Sequence, residues 1–166
     1  VTETLAGDKA TVMVTVPVAP SVAFDVFTQE TDLWWRRGVR YRVGGRHPGT
    51  LAFEPKPGGR LFEQYEGPAG TRVHEAGRIT IWEPPARLEF EWRGSNFAPS
   101  EVTHVLVTFA PTESGGTCVT IEHRGFAALR PDHPVRHGKD AAAFIRTMGL
   151  WWGDLLTGLR VHATPD

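Results

Sequence analysis

Few side chains in this sequence are placed to do chemistry, and His123 comes first among them. In TCVTIEHRG it shares strand parity with Val119 and Ile121, which turns it toward the interior. An imidazole there could act as general acid or base if its pKa stayed near neutral, or serve as a structural hydrogen-bonding group. His133 and His137, in HPVRH, have a spacing that would suit two metal ligands on a helix. Pro131, Pro134 and Gly138 argue against a helix there, and no Cys or Glu accompanies the pair at zinc-motif spacing. The reading is therefore a loop near a pocket entrance, with no metal. Glu63 reads first as a solvated strand charge, but parity with Leu61 could turn both Glu63 and Tyr65 inward, where the Tyr65 hydroxyl could orient a ligand. Glu75, Arg78, Glu89 and Glu91 read as solvated cross-strand pairs. Arg42 and Arg46, among glycines, could anchor an acidic ligand group. Ser95, Ser100 and Ser114 lie in turn-like contexts without a nucleophile elbow, and Gly58-Gly59 and Gly115-Gly116 fit strand turns rather than phosphate cradles. No catalytic constellation emerges.

The elements that must position these groups follow from hydrophobic period. Val12, Val14, Val16 and Val18 alternate with Met13, Thr15 and Pro17, which predicts a first strand with one buried face. Ser21 reads as the N-cap of a short helix over Val22 to Gln29, and Thr31 or Asp32 as the cap of a second turn carrying Leu33, Trp34 and Trp35. From Leu51 on, strand runs alternate with turn signals: LAFEP, PGG, RLFEQY, GPAG, RVHEAGRITIW, EPP, ARLEFEW. Within GRITIWEPPARLEFEW, hinged on Pro84-Pro85, Ile79 and Ile81 are expected on one face, as are Leu88, Phe90 and Trp92. Two further strands surround Ser114-Gly115-Gly116. Beyond Pro134 the period becomes helical, with Phe144, Ile145, Met148, Trp152, Leu155, Leu156 and Leu159 on one broad stripe of a Lys139 to Val161 helix.

An antiparallel sheet needs its apolar face covered, and only that terminal helix is long enough to cross it. A curved sheet beneath a crossing helix commonly leaves a pocket lined by aromatics. The expected ligand-binding residues are Trp34, Tyr65, Phe90, Trp92, His123, Met148, Trp151 and Trp152, with core packing as the competing explanation for roughly half of the aromatic set. Trp34 and Trp35 are expected to face different environments.

Composition narrows the setting. The 166 residues fit one domain spanning 1–166, and 18 basic against 19 acidic side chains give no electrostatic reason for a nucleic-acid partner. One cysteine, Cys118, fits a reducing cytoplasm. No apolar run approaches the roughly 20 residues that span a bilayer, so the chain reads as soluble.

The order of PSVAFDVF, Trp34-Trp35, FEPKPGGRLFE, GRITIWEPPARLEFEW, VLVTFAP and GGTCVTIEHRGF resembles the START-like helix-grip (SRPBCC) superfamily, in the branch similar to the C-terminal domain of the heat-shock-protein-90 ATPase activator. That resemblance covers nearly the whole chain. It departs at Trp151, where a glycine usually precedes the helix tryptophan, and the extra bulk is expected near the cavity mouth. The resemblance implies an α+β helix-grip fold: a curved antiparallel sheet of six to seven strands around a long C-terminal helix, with two short helices after the first strand. The function expected is binding of a hydrophobic or aromatic small molecule, without cofactor, by a monomer or homodimer. The family's range leaves two alternatives: a polyketide cyclase or aromatase-like enzyme using His123 or Tyr65, or a stress-response, co-chaperone-like interaction domain.

Overall fold

The computed structural model describes residues 8–130, 132–136 and 138–166. Its chain order is β1 (Lys9–Val16), α1 (Pro20–Gln29), α2 (Thr31–Trp34), β2 (Gly49–Phe53), β3 (Arg60–Gly67), β4 (Gly70–Glu83), β5 (Arg87–Trp92), β6 (Thr103–Pro111), β7 (Thr117–Arg124) and α3 (Ala141–Ala163). The seven strands form one antiparallel curled sheet in the order β1-β7-β6-β5-β4-β3-β2. Consecutive strands from β2 to β7 are neighbours, as short turns dictate, and β1 closes against β7. The short helices α1 and α2 and the long α3 pack on the concave side, giving the helix-grip architecture that the motif order implies.

Two bulges set which side chains face that concave side. In β4 the register shifts between Ile79 and Ile81, so Ile79 opposes Phe90, Ile81 opposes Glu89 and Trp82 opposes Leu88. The expectation that Ile79 and Ile81 share a face is thereby corrected: an inserted residue reverses the alternation, and Trp82 packs edge-on against Phe24 at 5.1 Å between ring centroids. The second bulge lies in the β3–β4 pairing beside Leu61 and Phe62. Gly77, in β4, runs so close to β5 that a Cβ would overlap the Glu91 carbonyl, which only glycine avoids.

Helix boundaries differ from the sequence reading for local reasons. α1 begins at Pro20 with Ala19 in the cap position, not Ser21; proline lacks the N–H that a first-turn residue would leave unpaired and has its φ preset for the helix. Thr31 opens α2 but does not cap it, since its hydroxyl donates to the Phe27 carbonyl at 2.7 Å. α3 starts at Ala141 because the Asp140 carboxylate accepts from the Ala143 N–H at 2.8 Å, and it runs to Ala163.

The C-terminal half of α3 is fully engaged. Trp152, Leu155, Leu156 and Leu159 are buried against the sheet and the short helices, where α1 contributes Phe24 and Phe27. Among the described residues, no helix is long and apolar enough to cross a membrane. With its surroundings held by this packing, Leu156→Ala is expected to cost about 2–5 kcal/mol. A urea titration would show it as a lower midpoint at unchanged slope.

Candidate functional site

A buried chain of hydrogen bonds ties α3 to three strands. The Trp152 indole Nε1–H donates to His123 Nδ1 at 2.9 Å. An indole nitrogen only donates, so His123 Nδ1 is an acceptor and the ring proton sits on Nε2. That Nε2–H donates to Thr103 Oγ1 at 2.7 Å, and the Thr103 hydroxyl donates to the Trp92 carbonyl at 2.9 Å. His123 is also enclosed by the rings of Trp92 and Phe126, at 5.5 and 4.6 Å between centroids. Burial, with a smaller push from the charge of His104, lowers its pKa to about 3. The inward orientation read from strand parity holds, and at neutral pH the imidazole is uncharged with both nitrogens committed to neighbours.

The segment between α2 and β2 is fixed just as closely. Arg42 is buried; its guanidinium bonds the Asp32 carboxylate at 2.5 Å and the Trp35 carbonyl at 2.7 Å. Asp32 also accepts from the Leu51 N–H at 2.9 Å. Burial alone would raise the Asp32 pKa, but the bonds from Arg42 and Leu51 and the charges of Arg42 and Arg37 outweigh it and hold the carboxyl below its usual range. Arg42 is thus no free anchor for a ligand acid, because its partner is already present. Glu63, buried on β3, accepts the backbone N–H groups of Val43 and Gly44. Gly44 leaves room for this approach, since a Cβ there would meet the Tyr65 ring and the Glu63 carboxylate. From the helix side, the Trp151 Nε1–H donates to the Arg40 carbonyl at 2.8 Å, and the Tyr41 hydroxyl donates to the Asp154 carboxylate at 3.0 Å.

Between this segment, the first turns of α3 and the end of β5 lies an open cleft of about 480 Å³. Tyr41, Trp92, Phe144, Met148 and Trp151 form its apolar walls, and Ser95, Asn96 and Thr147 stand among its polar ones. Trp92 and Trp151 meet at 6.0 Å between centroids, and Tyr41 stacks on Trp151 at the same separation. A smaller hollow of about 50 Å³ adjoins it, sharing Tyr41, Val43, Trp92 and Gly94 and adding Glu63 and His74.

Of the eight residues singled out by sequence, the fold brings Trp92, Met148 and Trp151 together at this cleft. Trp151 supplies wall and tether at once. The other five lie elsewhere. Trp34 donates to the Phe27 carbonyl and flanks a separate groove near Leu33 and Val161. Phe90 is core against Phe53, Tyr65 is half-buried over Gly44 and Gly49, and His123 and Trp152 belong to the buried chain. Trp34 and Trp35 are both buried and touch, at 5.4 Å between centroids, but have different onward partners: Phe27 for the first, Trp151 and Trp152 for the second. Sequence reasoning passed over Tyr41 and His74. Tyr41 sits in an aperiodic Arg/Gly segment; His74 alternates with the buried Ala76, a parity signal that was available.

His133 is buried against the Phe97 ring, with Nδ1 accepting from the Val135 N–H at 3.1 Å. Its Nε2 lies 3.2 Å from a Glu101 carboxylate oxygen. His137 lies outside the described residues. Among the described residues, no three His, Cys, Asp or Glu side chains gather so as to hold a metal ion.

The state of His123 has a measurable consequence. With a folded pKa near 3 against an ordinary value of 6.5, the unfolded chain binds a proton there that the folded chain refuses. Stability from this site is therefore complete above about pH 6.5 and falls as pH drops toward 3, by about 1.4 kcal/mol per unit in between. In NMR the His123 ring should not titrate between pH 8 and pH 5, and a His123→Asn variant should lose this part of the acid sensitivity in urea unfolding. A ring titrating near pH 6.5 would contradict the assignment.

No curated protein matches the chain. Among solved structures it is similar to Ms6760 from Mycobacterium smegmatis, with a TM-score of 0.64 and 18% identity over 98% of this chain and 94% of that one. It is similar too to MLL2253 from Mesorhizobium loti, with a TM-score of 0.61 and 19% identity over 92% and 94% of the two chains. A Rhodobacter sphaeroides protein gives a TM-score of 0.62 at 24% identity over 94% and 92%. At such identities these likenesses show a shared fold. The model of the family described as Activator of Hsp90 ATPase homolog 1-like protein matches residues 17–144, most of the chain, and the chain belongs to that family.

Proposed function

We propose that this domain binds a flat, apolar or aromatic small molecule in the cleft between the first turns of α3, Trp92 and the Arg36–Pro48 segment. The observation that carries the reading is the cleft itself: about 480 Å³, inside the range of small-molecule sites, with aromatic walls and a few polar groups. Its frame is held by bonds that need no ligand, from Trp151 to Arg40, Tyr41 to Asp154 and Glu63 to Val43 and Gly44. Such preorganisation lowers the ordering cost of binding. In this reading the domain is cytoplasmic, needs no cofactor and works as a monomer or homodimer.

The cyclase-like alternative gains no support from the two groups it would have used. His123 has both ring nitrogens engaged, and Tyr65 lies over glycines rather than on the cleft wall. A chaperone-activating role, suggested by the family's description, would rest on an exposed apolar surface such as that of Leu33 and Val161 rather than on the cleft.

A bicyclic aromatic probe such as 2-naphthol, at about 100 times its dissociation constant, should stabilise the fold by about 2.7 kcal/mol, or about 5–10 °C in melting temperature. Thr147→Trp, which places an indole in the cleft from the half-buried face of α3, should fold normally and lose that shift. A shift retained by the filled variant would move the binding site elsewhere.

A further inference from the structure

The inner end of the cleft is chemically unlike its mouth. Glu63 on β3 and His74 on β4 stand opposite one another in the sheet register, and both line the 50 Å³ hollow. Glu63 is 4% exposed. Each of its carboxylate oxygens accepts one backbone N–H, and among the described residues no Lys, Arg or His nitrogen lies at ion-pair distance from it. An ionised carboxylate oxygen has two lone pairs, so one acceptor position on each remains open. The His74 Nε2 lies 3.2 Å from the Arg93 carbonyl. A carbonyl oxygen only accepts, so Nε2 carries a ring proton. The Arg93 guanidinium leans instead toward Glu91, at 3.6 Å, with its Nε buried and unpartnered.

The hollow is therefore rich in acceptors, and its volume is close to that of a single small polar group, a water molecule occupying about 30 Å³ of liquid. A carboxylate or phosphate entering it would meet the buried charge of Glu63. A methyl group would leave acceptors unpaired. We propose that Glu63 and His74 form a recognition site for a hydrogen-bond-donating head, a hydroxyl or amino group, carried on an aromatic body that lies in the cleft against Trp92 and Trp151. The inference rests on the small-molecule reading of the cleft and adds to it a ligand class: phenol-like or aryl-amine compounds, with anionic heads disfavoured. A hydroxyl suits the site because it donates to Glu63 or His74.

Two probes of matched shape, 2-naphthol and 2-methylnaphthalene, separate the claims when titrated against the native protein by quenching of tryptophan fluorescence. The naphthol should bind about tenfold more tightly or better, as a donor to a buried charged acceptor implies. In His74→Leu that preference should shrink to about threefold or less while the affinity for 2-methylnaphthalene stays as it was, and in Glu63→Gln the ratio of the two affinities should shrink likewise. Equal binding of the two probes by the native protein would overturn the donor site and leave the small-molecule reading intact. Binding of neither would remove both. A preference that survives in both variants would also overturn the assignment. Because Glu63 supports the neighbouring segment, the native ratio and His74→Leu decide the matter even where Glu63→Gln fails to fold.

Discussion

The contact on which the rest of this structure depends is the buried chain from Trp152 through His123 and Thr103 to the Trp92 carbonyl. It joins the terminal helix to β7, β6 and β5 with every polar group satisfied, and in a low-dielectric interior an unmet partner at any step would be costly. Because Trp152 is fixed there, the following turns of α3 lie on the sheet with Leu155, Leu156 and Leu159 buried. The turns before it have no such anchor in the sheet. Phe144, Met148 and Trp151 instead face the end of β5 and a glycine-rich segment, and that is where space remains. The second half of the helix is thus packed on all its inward side, and an open cleft lies beside the first.

What keeps the cleft from collapsing is a second set of bonds made largely to backbone. Arg42 holds carbonyls of Trp35 and Arg36 while its charge is met by Asp32; Glu63 holds two N–H groups; Trp151 and Tyr41 reach across from opposite sides of the helix contact. A segment without regular structure acquires fixed backbone partners in this way. The same residues then serve twice, since Tyr41 and Trp151 are both supports and walls.

Much of the fold could be read from residue period because burial on one face is a local constraint. The β1 valines, the LEFEW run and the α3 stripe each declare their inward side, and their order matched a known architecture. The β4 bulge was not legible: one extra residue turned Ile81 outward and Trp82 inward, an outcome set by pairing with Leu88 and Glu89 rather than by β4 alone. Only part of the candidate cleft's lining was legible. Trp92, Met148 and Trp151 follow from parity and helical spacing, whereas Phe90, His123 and Trp152 point inward just as correctly yet meet other side chains instead of space. Inwardness is local; whether an inward group meets a cavity depends on partners such as Thr103 and Asp32, far along the chain. Arg42 shows the same limit, its exposed-looking context among glycines concealing a buried ion pair.

The central claim is that a small aromatic guest occupies the cleft beside the first half of α3. The most direct measurement is a crystal structure of the protein grown with saturating 2-naphthol. The account predicts planar density in the cleft, against Trp92, Trp151 and Met148, with its oxygen toward Glu63 and His74. An empty cleft in those crystals, with the compound absent or seated only in the groove beside Leu33 and Val161, would contradict it.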